Sequence, residues 1–269
     1  MNDIAVRSAQ FAGSWYPKTL EEAESYWVPS DQKVKAIAVV CPHAGWMYSG
    51  RVAGEVYGQI ASADTFIVLG PNHTGGGHKA TSLYAHGFWQ MPETSVPIDE
   101  PVAEDLLRTS EFLSIDPRAH DREHSVEVQV PFLLLLNPKA RLVPIVMRDY
   151  DAEVYHDLGR SMAAVCRKHP ELRILLVAST DMTHYAPKSE AVQKDREAIE
   201  RITAVDADGL KEIVDRIGVT MCGLGPVAAV LVAARLLGAT QGRLVRYATS
   251  GDVTRDDTSV VGYAGIIVN

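Results

Sequence analysis

VKAIAVVCPHAGWMYSG, residues 34–50, runs from small and branched apolar residues straight into Pro42, His43, Ala44 and Gly45. So short a run of Val, Ala and Ile reads as a strand covered on both faces, and the following SGRVAGEVYGQIA, residues 49–61, reads as a helix. Together they make the first strand–loop–helix unit of an open α/β sheet. His43 then lies just past a strand's carboxyl end, where the loops of such sheets converge on one crevice. A single histidine there is more often a hydrogen-bonded turn residue than a functional group, so the rest of the chain has to decide.

The same pattern recurs downstream. TFIVLG (65–70), RLVPIVM (141–147) and RILLVAS (173–179) are again short and rich in branched apolar residues. Helical periodicity falls between them at 124–136 and 151–169. Such alternation predicts a mainly parallel central sheet flanked by helices. GPVAAVLVAARLLG (225–238) reads as an apolar helix with Pro226 in its first turn and Gly238 at its end. RLVRYATS (243–250) and SVVGYAGIIV (259–268) read as two closing strands, with SGD (250–252) as a tight turn between them. There is no internal repeat, low-complexity segment or linker, so one domain over residues 1–269 is expected.

Composition narrows the functional classes. With 269 residues, 46% of them hydrophobic, the chain can bury a large core. A net charge of −8 argues against a nucleic-acid partner. The opening MNDIAVRSAQFAGSWYP lacks the apolar segment of a signal peptide, and VPFLLLLNP is too short to cross a bilayer. A cytoplasmic location without a membrane partner is expected. Cys41, Cys166 and Cys222 are too few and too scattered for a disulfide framework, which fits a reducing compartment. Cys41 and Cys166 read as small core fillers.

The loops after the strands carry the chemistry. CPHAG supplies His43, PNHTGGG supplies His73, and TDMTH supplies Asp181 and His184. In TMCGLGP, Cys222 precedes an apolar helix whose N-terminal dipole would favour the thiolate. Three histidines at corresponding strand ends are hard to ascribe to chance. His78, His86, His120, His156 and His169 have no such placement, and the last pair read as helix-surface residues. His124 opens a helix beside Asp121, Glu123 and Glu127. Those acids read either as cap and first-turn groups or as partners aimed with His124 at the crevice. The glycines of HTGGGH allow close backbone approach to a ligand, but no phosphate-loop spacing follows and no nucleotide cofactor is indicated.

Taken in order, CPHAGWMYSG, LGPNHTG, EHSVEVQVPFL, STDMTHY, CGLGPVAAVL, and YATSGDV followed by SVVGYAG resemble the successive motifs of the Memo family. That family includes the Memo-like component, protein B, of the AmmeMemoRadiSam system. AGSWYP at 12–17 is similar to its opening motif, and Trp46 stands where tyrosine is more usual. The resemblance implies a fold like that of the class III extradiol dioxygenases (LigB-like), which are non-haem iron enzymes. It implies His43, His73 and Cys222 as metal ligands and His184 as acid/base; Asp181 and His124, placed by their loop and helix start, are expected as further catalytic groups beside them. It also implies, as partners, a radical S-adenosylmethionine protein and an AMMECR-domain protein.

Ferrous dioxygenases typically use two histidines and a carboxylate, whereas the implied set here puts a thiolate in the third place. Iron is expected first, with copper or zinc as alternatives, and extradiol cleavage does not follow from the fold. The same ligands would suit a zinc hydrolase. A metal-free Cys222 nucleophile with a histidine base, or a crevice that holds a small molecule or a peptide, also remain open. Arg51, Arg122 and Arg148 are the arginines weighed near the motifs, and they make no arginine cluster for phosphate recognition.

Overall fold

The computed structural model describes residues 5–269. Its strands are β1 (Val6–Arg7), β2 (Ala38–Cys41), β3 (Thr65–Pro71), β4 (Thr81–Leu83), β5 (Phe88–Gln90), β6 (Ser95–Pro97), β7 (Leu113–Ile115), β8 (Arg141–Met147), β9 (Ile174–Ser179), β10 (His184–Ala186), β11 (Gly242–Thr249) and β12 (Val260–Val268). The helices are α1 (Leu20–Glu24), α2 (Trp46–Tyr57), α3 (Glu100–Thr109), α4 (Val130–Leu136), α5 (Ala152–Lys168), α6 (Lys188–Thr203), α7 (Ala207–Ile217), α8 (Leu224–Leu236) and α9 (Gly251–Thr254).

Nine strands form one sheet in the order β10-β12-β2-β9-β3-β8-β4-β7, with β11 paired to β12. At its centre β2, β9, β3 and β8 run parallel. They are buried on both faces, which explains their unbroken apolar sequences. Ala38, Val40, Ile67 and Leu69 point into one core with α5 and α8, while Val39, Cys41, Phe66 and Val68 point into the other with α2 and α4. This is the two-residue alternation of a strand. Helix α8 is apolar almost all round because it packs between α5 and the sheet.

The sheet is mixed, which corrects the expectation of a mainly parallel one. β12 is antiparallel to β2, β10 and β11, and β4 is antiparallel to β8. The link from β11 to β12 is too short for a crossover, so the two strands must close as a hairpin. That link holds the helical turn α9 where a tight turn was expected. A separate sheet of three strands, β1-β5-β6, carries the N-terminal segment.

The helix expected over 124–136 begins late. A 3-10 turn at Glu127–Gln129 leads into α4, with Pro131 in its first turn. A continuous helix would set the ring of Pro131 against the carbonyl of residue 127 and lose that hydrogen bond. His124 is therefore held in a loop, which lets it reach the crevice. No helix among the described residues is long and apolar enough to cross a membrane.

Candidate metal centre

His43 follows β2, His73 follows β3, and Asp181 and His184 follow β9, so their loops meet at one edge of the parallel strands. Cys222 stands just before Gly223, the N-cap of α8. His43, His73 and Cys222 each bring a donor atom within 4.8 Å of the other two. His43 Nε2 and Cys222 Sγ are 3.2 Å apart.

Hydrogen bonds behind the rings decide which nitrogen is free. The Ser179 hydroxyl donates to the carbonyl of Ser125 (2.6 Å) and accepts from Gln129 Nε2 (2.9 Å). Its one proton is then committed, so at 3.0 Å from His43 Nδ1 it can only accept. His43 therefore carries its proton on Nδ1 and turns the Nε2 lone pair toward Cys222. Gln129 is fixed in turn, donating to the carbonyl of Pro42 (2.9 Å) and accepting from the Tyr57 hydroxyl (2.9 Å).

His73 is held in the same way. Its Nδ1 lies 2.9 Å from Glu123 Oε1, and its backbone N–H donates to Glu123 Oε2 at 2.6 Å. Glu123 is buried, which alone would raise its pKa, but the His73 hydrogen bond, the neighbouring histidines and the Ser125 N–H hold it below the usual carboxylate range. His184 Nδ1 faces the carbonyl oxygen of Thr220 at 2.9 Å, so it too keeps Nε2 free. Three histidines thus present the same ring atom, the arrangement in which metal-ligating imidazoles are found.

Asp181 is buried and its Oδ1 accepts the backbone N–H groups of His43 (2.8 Å) and Ala44 (3.2 Å). Its own N–H donates to Cys222 Sγ at 3.2 Å. Burial pushes the Asp181 carboxyl up. Burial and then the Asp181 charge push the Cys222 thiol well up, overriding the helix N-terminus that was expected to favour the thiolate. The dipole acts one residue outside the helix, and the packing around the partly buried sulfur outweighs it there. His43 lies well below its ordinary value through burial and then the His73 charge.

His124 stacks on His73 with ring centroids 4.5 Å apart and planes 14° apart, and burial followed by His43 keeps it neutral. His73, Glu123 and His124 also lie within ligand spacing of one another, but Glu123 Oε1 already serves His73 Nδ1 and the Ser125 N–H. Above the histidines opens a cleft of about 1000 Å³. Trp15 covers one side, its ring 4.1 Å from His124.

Sequence reasoning brought His43, His73, Asp181, His184, Cys222 and His124 to this place, and the fold assembles all six around one crevice. It missed Ser179, Gln129 and Ser125, whose only signal was their position at the ends of the flanking elements. It left the acids near His124 undecided: Glu123 orients His73, while Glu127 turns inward. Glu127 is fully buried and accepts from Arg7, the N–H groups of Gln10 and Phe11, and the Tyr16 hydroxyl. That carboxylate fastens the segment bearing Trp15. Trp46 stacks on Phe132 at 3.9 Å within the core, and its backbone N–H donates to the carbonyl of Trp15. None of Arg51, Arg122 and Arg148 lines the cleft.

Comparison with known proteins agrees with this architecture. An uncharacterized protein of Escherichia coli K12 shares the fold, with a TM-score of 0.56 at 15% identity over 84% of this chain and 98% of its own. A MEMO1 family protein of Methanopyrus kandleri is 40% identical over 97% of this chain and 98% of its own length. One from Methanothermobacter thermautotrophicus is 44% identical over 88% and 85%. The family model described as Memo-like protein matches residues 7–267, and the chain belongs to the Memo family.

Proposed function

We propose that His43, His73 and Cys222 hold a transition metal, iron first with copper or zinc as alternatives, and that the protein is a metal-dependent oxidoreductase of dioxygenase-like type. The observation that carries this reading is the shared orientation of two imidazoles, each tied through Nδ1 and each offering Nε2 beside a thiol. The donor set fits such a metal: borderline nitrogen donors with one soft sulfur, at ligand spacing. When bound, the metal would supply Lewis acidity or one-electron chemistry, and it would draw the proton from the Cys222 thiol.

The residues around it have separate tasks. Ser179 and Glu123 orient the two imidazoles. Asp181 fixes the backbone of His43 through two N–H groups. His184, with Nδ1 committed to Thr220, is the group that takes or gives a proton at Nε2. His124 and Trp15 wall one side of the cleft beside His73. A radical S-adenosylmethionine protein and an AMMECR-domain protein are the partners this family reading proposes.

The 3.2 Å approach of His43 Nε2 to Cys222 Sγ also suits a metal-free thiol–imidazole pair. Against it stands the raised thiol pKa, which leaves a weak nucleophile. Elemental analysis of protein purified without oxygen or an affinity metal, for the parent and for Cys222→Ser, tests the two. Near-stoichiometric iron or copper that is lost in the variant supports the redox reading, and zinc alone favours a hydrolase. No metal, and no uptake of added iron, copper or zinc, refutes metal binding and leaves Cys222 as a nucleophile.

A further inference from the structure

Of the 22 residues that line the cleft, seven are aromatic, about a third, against 7% aromatics in the whole chain. Trp15, Tyr48, Tyr185 and Tyr263 are among them, and Tyr185 is 80% exposed. An exposed tyrosine beside a cleft offers a flat face that nothing among the described residues covers, the kind of surface against which a planar ring stacks. Among the charged residues of the lining, Lys18 is the single cation.

Lys18 is placed with some care by the chain. Its aliphatic stem lies over Gly13, so close that a Cβ at position 13 would come within 2.5 Å of Lys18 Cε. Gly13 itself has φ of +78°, a backbone conformation that favours glycine in this turn. Glu22, the nearby acid, accepts the backbone N–H of Lys18 at 3.2 Å, and no carboxylate among the described residues pairs with the ammonium. The ammonium is therefore available to a ligand.

We propose that the cleft binds a small planar aromatic carboxylate, its ring against the Trp15 and tyrosine walls and its carboxylate on Lys18. A volume of about 1000 Å³ is at the upper end for small-molecule sites, so one ring does not fill it and a fused ring system suits it better. This rests on the reading of the cleft as the ligand site above the three donor atoms. It does not need the metal, because the Lys18 contact and the ring stacking are made by side chains alone.

The test uses metal-free full-length protein and calorimetric titration with 2-naphthoate, 2-naphthamide, cyclohexanecarboxylate and benzyltrimethylammonium. Lys18 is exposed, so 2-naphthoate is expected to bind about two- to fivefold more tightly than 2-naphthamide, the size of one solvent-exposed ion pair. Lys18→Met should lower 2-naphthoate affinity to that of the amide and leave the amide unchanged, while Lys18→Arg keeps most of the difference. The proposal is overturned if the amide binds as well as the acid, if cyclohexanecarboxylate equals 2-naphthoate, or if benzyltrimethylammonium binds best. The last result would assign the aromatic wall to a cation instead. Metal content, measured separately, distinguishes failure of this proposal from failure of the metal reading: naphthoate binding to a protein that takes up no metal would sink only the latter.

Discussion

Glu127→Ala removes one carboxylate on which four donors converge: Arg7 Nη1, the backbone N–H groups of Gln10 and Phe11, and the Tyr16 hydroxyl. Both ionic partners are buried, with side-chain exposures of 2% and 0%, so water cannot replace the lost acceptor without opening the fold. Arg7 keeps its bonds to the carbonyls of His120 (3.1 Å) and Glu123 (2.9 Å) and its place over the Trp89 ring, but its charge is left uncompensated. Breaking such a buried pair from one side costs about 3–5 kcal/mol. For 269 residues the unfolding entropy is on the order of 0.56 kcal/mol per kelvin, so the midpoint should fall by about 5–9 °C. Scanning calorimetry measures that drop, and the fluorescence of Trp15, read against a Trp15→Phe background, reports release from His124. Glu127→Gln, which keeps a carbonyl acceptor, should lose less. A loss under about 1 kcal/mol in Glu127→Ala, with Trp15 emission unchanged, would refute the claim that this carboxylate fastens the roof of the cleft.

On the proposed metal reading, Ser179→Ala and Glu123→Gln should each weaken metal binding about 10–100-fold without abolishing it, measured by competition with a chelator, because they hydrogen-bond the imidazoles from behind. Equal affinity in all three proteins would deny them that role. His184→Ala should keep the metal and impair turnover; complete metal loss would mean that His184 is a ligand. Gly54→Ala would set a Cβ 1.9 Å from the carbonyl oxygen of Tyr26, a backbone atom that cannot swing aside, and should destabilise the protein by about 1–3 kcal/mol in urea unfolding. Burial holds the His120 pKa down at about 3, whereas the unfolded chain takes up that proton near 6.5. Above pH 6.5 both states are neutral there; as pH falls toward 3 only the unfolded state gains the proton, so stability is lost. Wild type should therefore lose up to about 1.4 kcal/mol per pH unit more than His120→Gln between pH 6 and 4, and parallel pH profiles would contradict this.

The parallel centre of the sheet was legible in the sequence because a strand buried on both faces leaves a short unbroken apolar run, as in TFIVLG and RLVPIVM. The loops that follow such strands must gather at one edge, which is why His43, His73, Asp181 and His184 could be named before any coordinates. α6 escaped notice although Ala191, Asp195, Ala198, Ile199 and Ile202 keep helical spacing on its buried face, because a buried aspartate interrupts the apolar stripe. The short link between the last two strands already marked them as a hairpin, but the antiparallel pairing of β12 with β2 and β10 and of β4 with β8 was not legible, since strand direction there depends on which neighbour each strand meets and not on its own residues.

At the site, local sequence determined which side chains reach the crevice, and tertiary structure decided their chemical state. The tautomer of His43 depends on Ser179, which depends on Gln129 and on a carbonyl of Ser125, groups brought together only by packing α4 and its preceding turn against the sheet. For Cys222 the local signal, a helix N-terminus, pointed toward the thiolate, yet burial beside Asp181 reversed it. Glu127, a first-turn acid in the sequence, became the anchor of a segment more than a hundred residues away. Periodicity and loop position are properties of neighbours along the chain; desolvation and hydrogen-bond partnership belong to neighbours in space, and they exist only once the chain has folded.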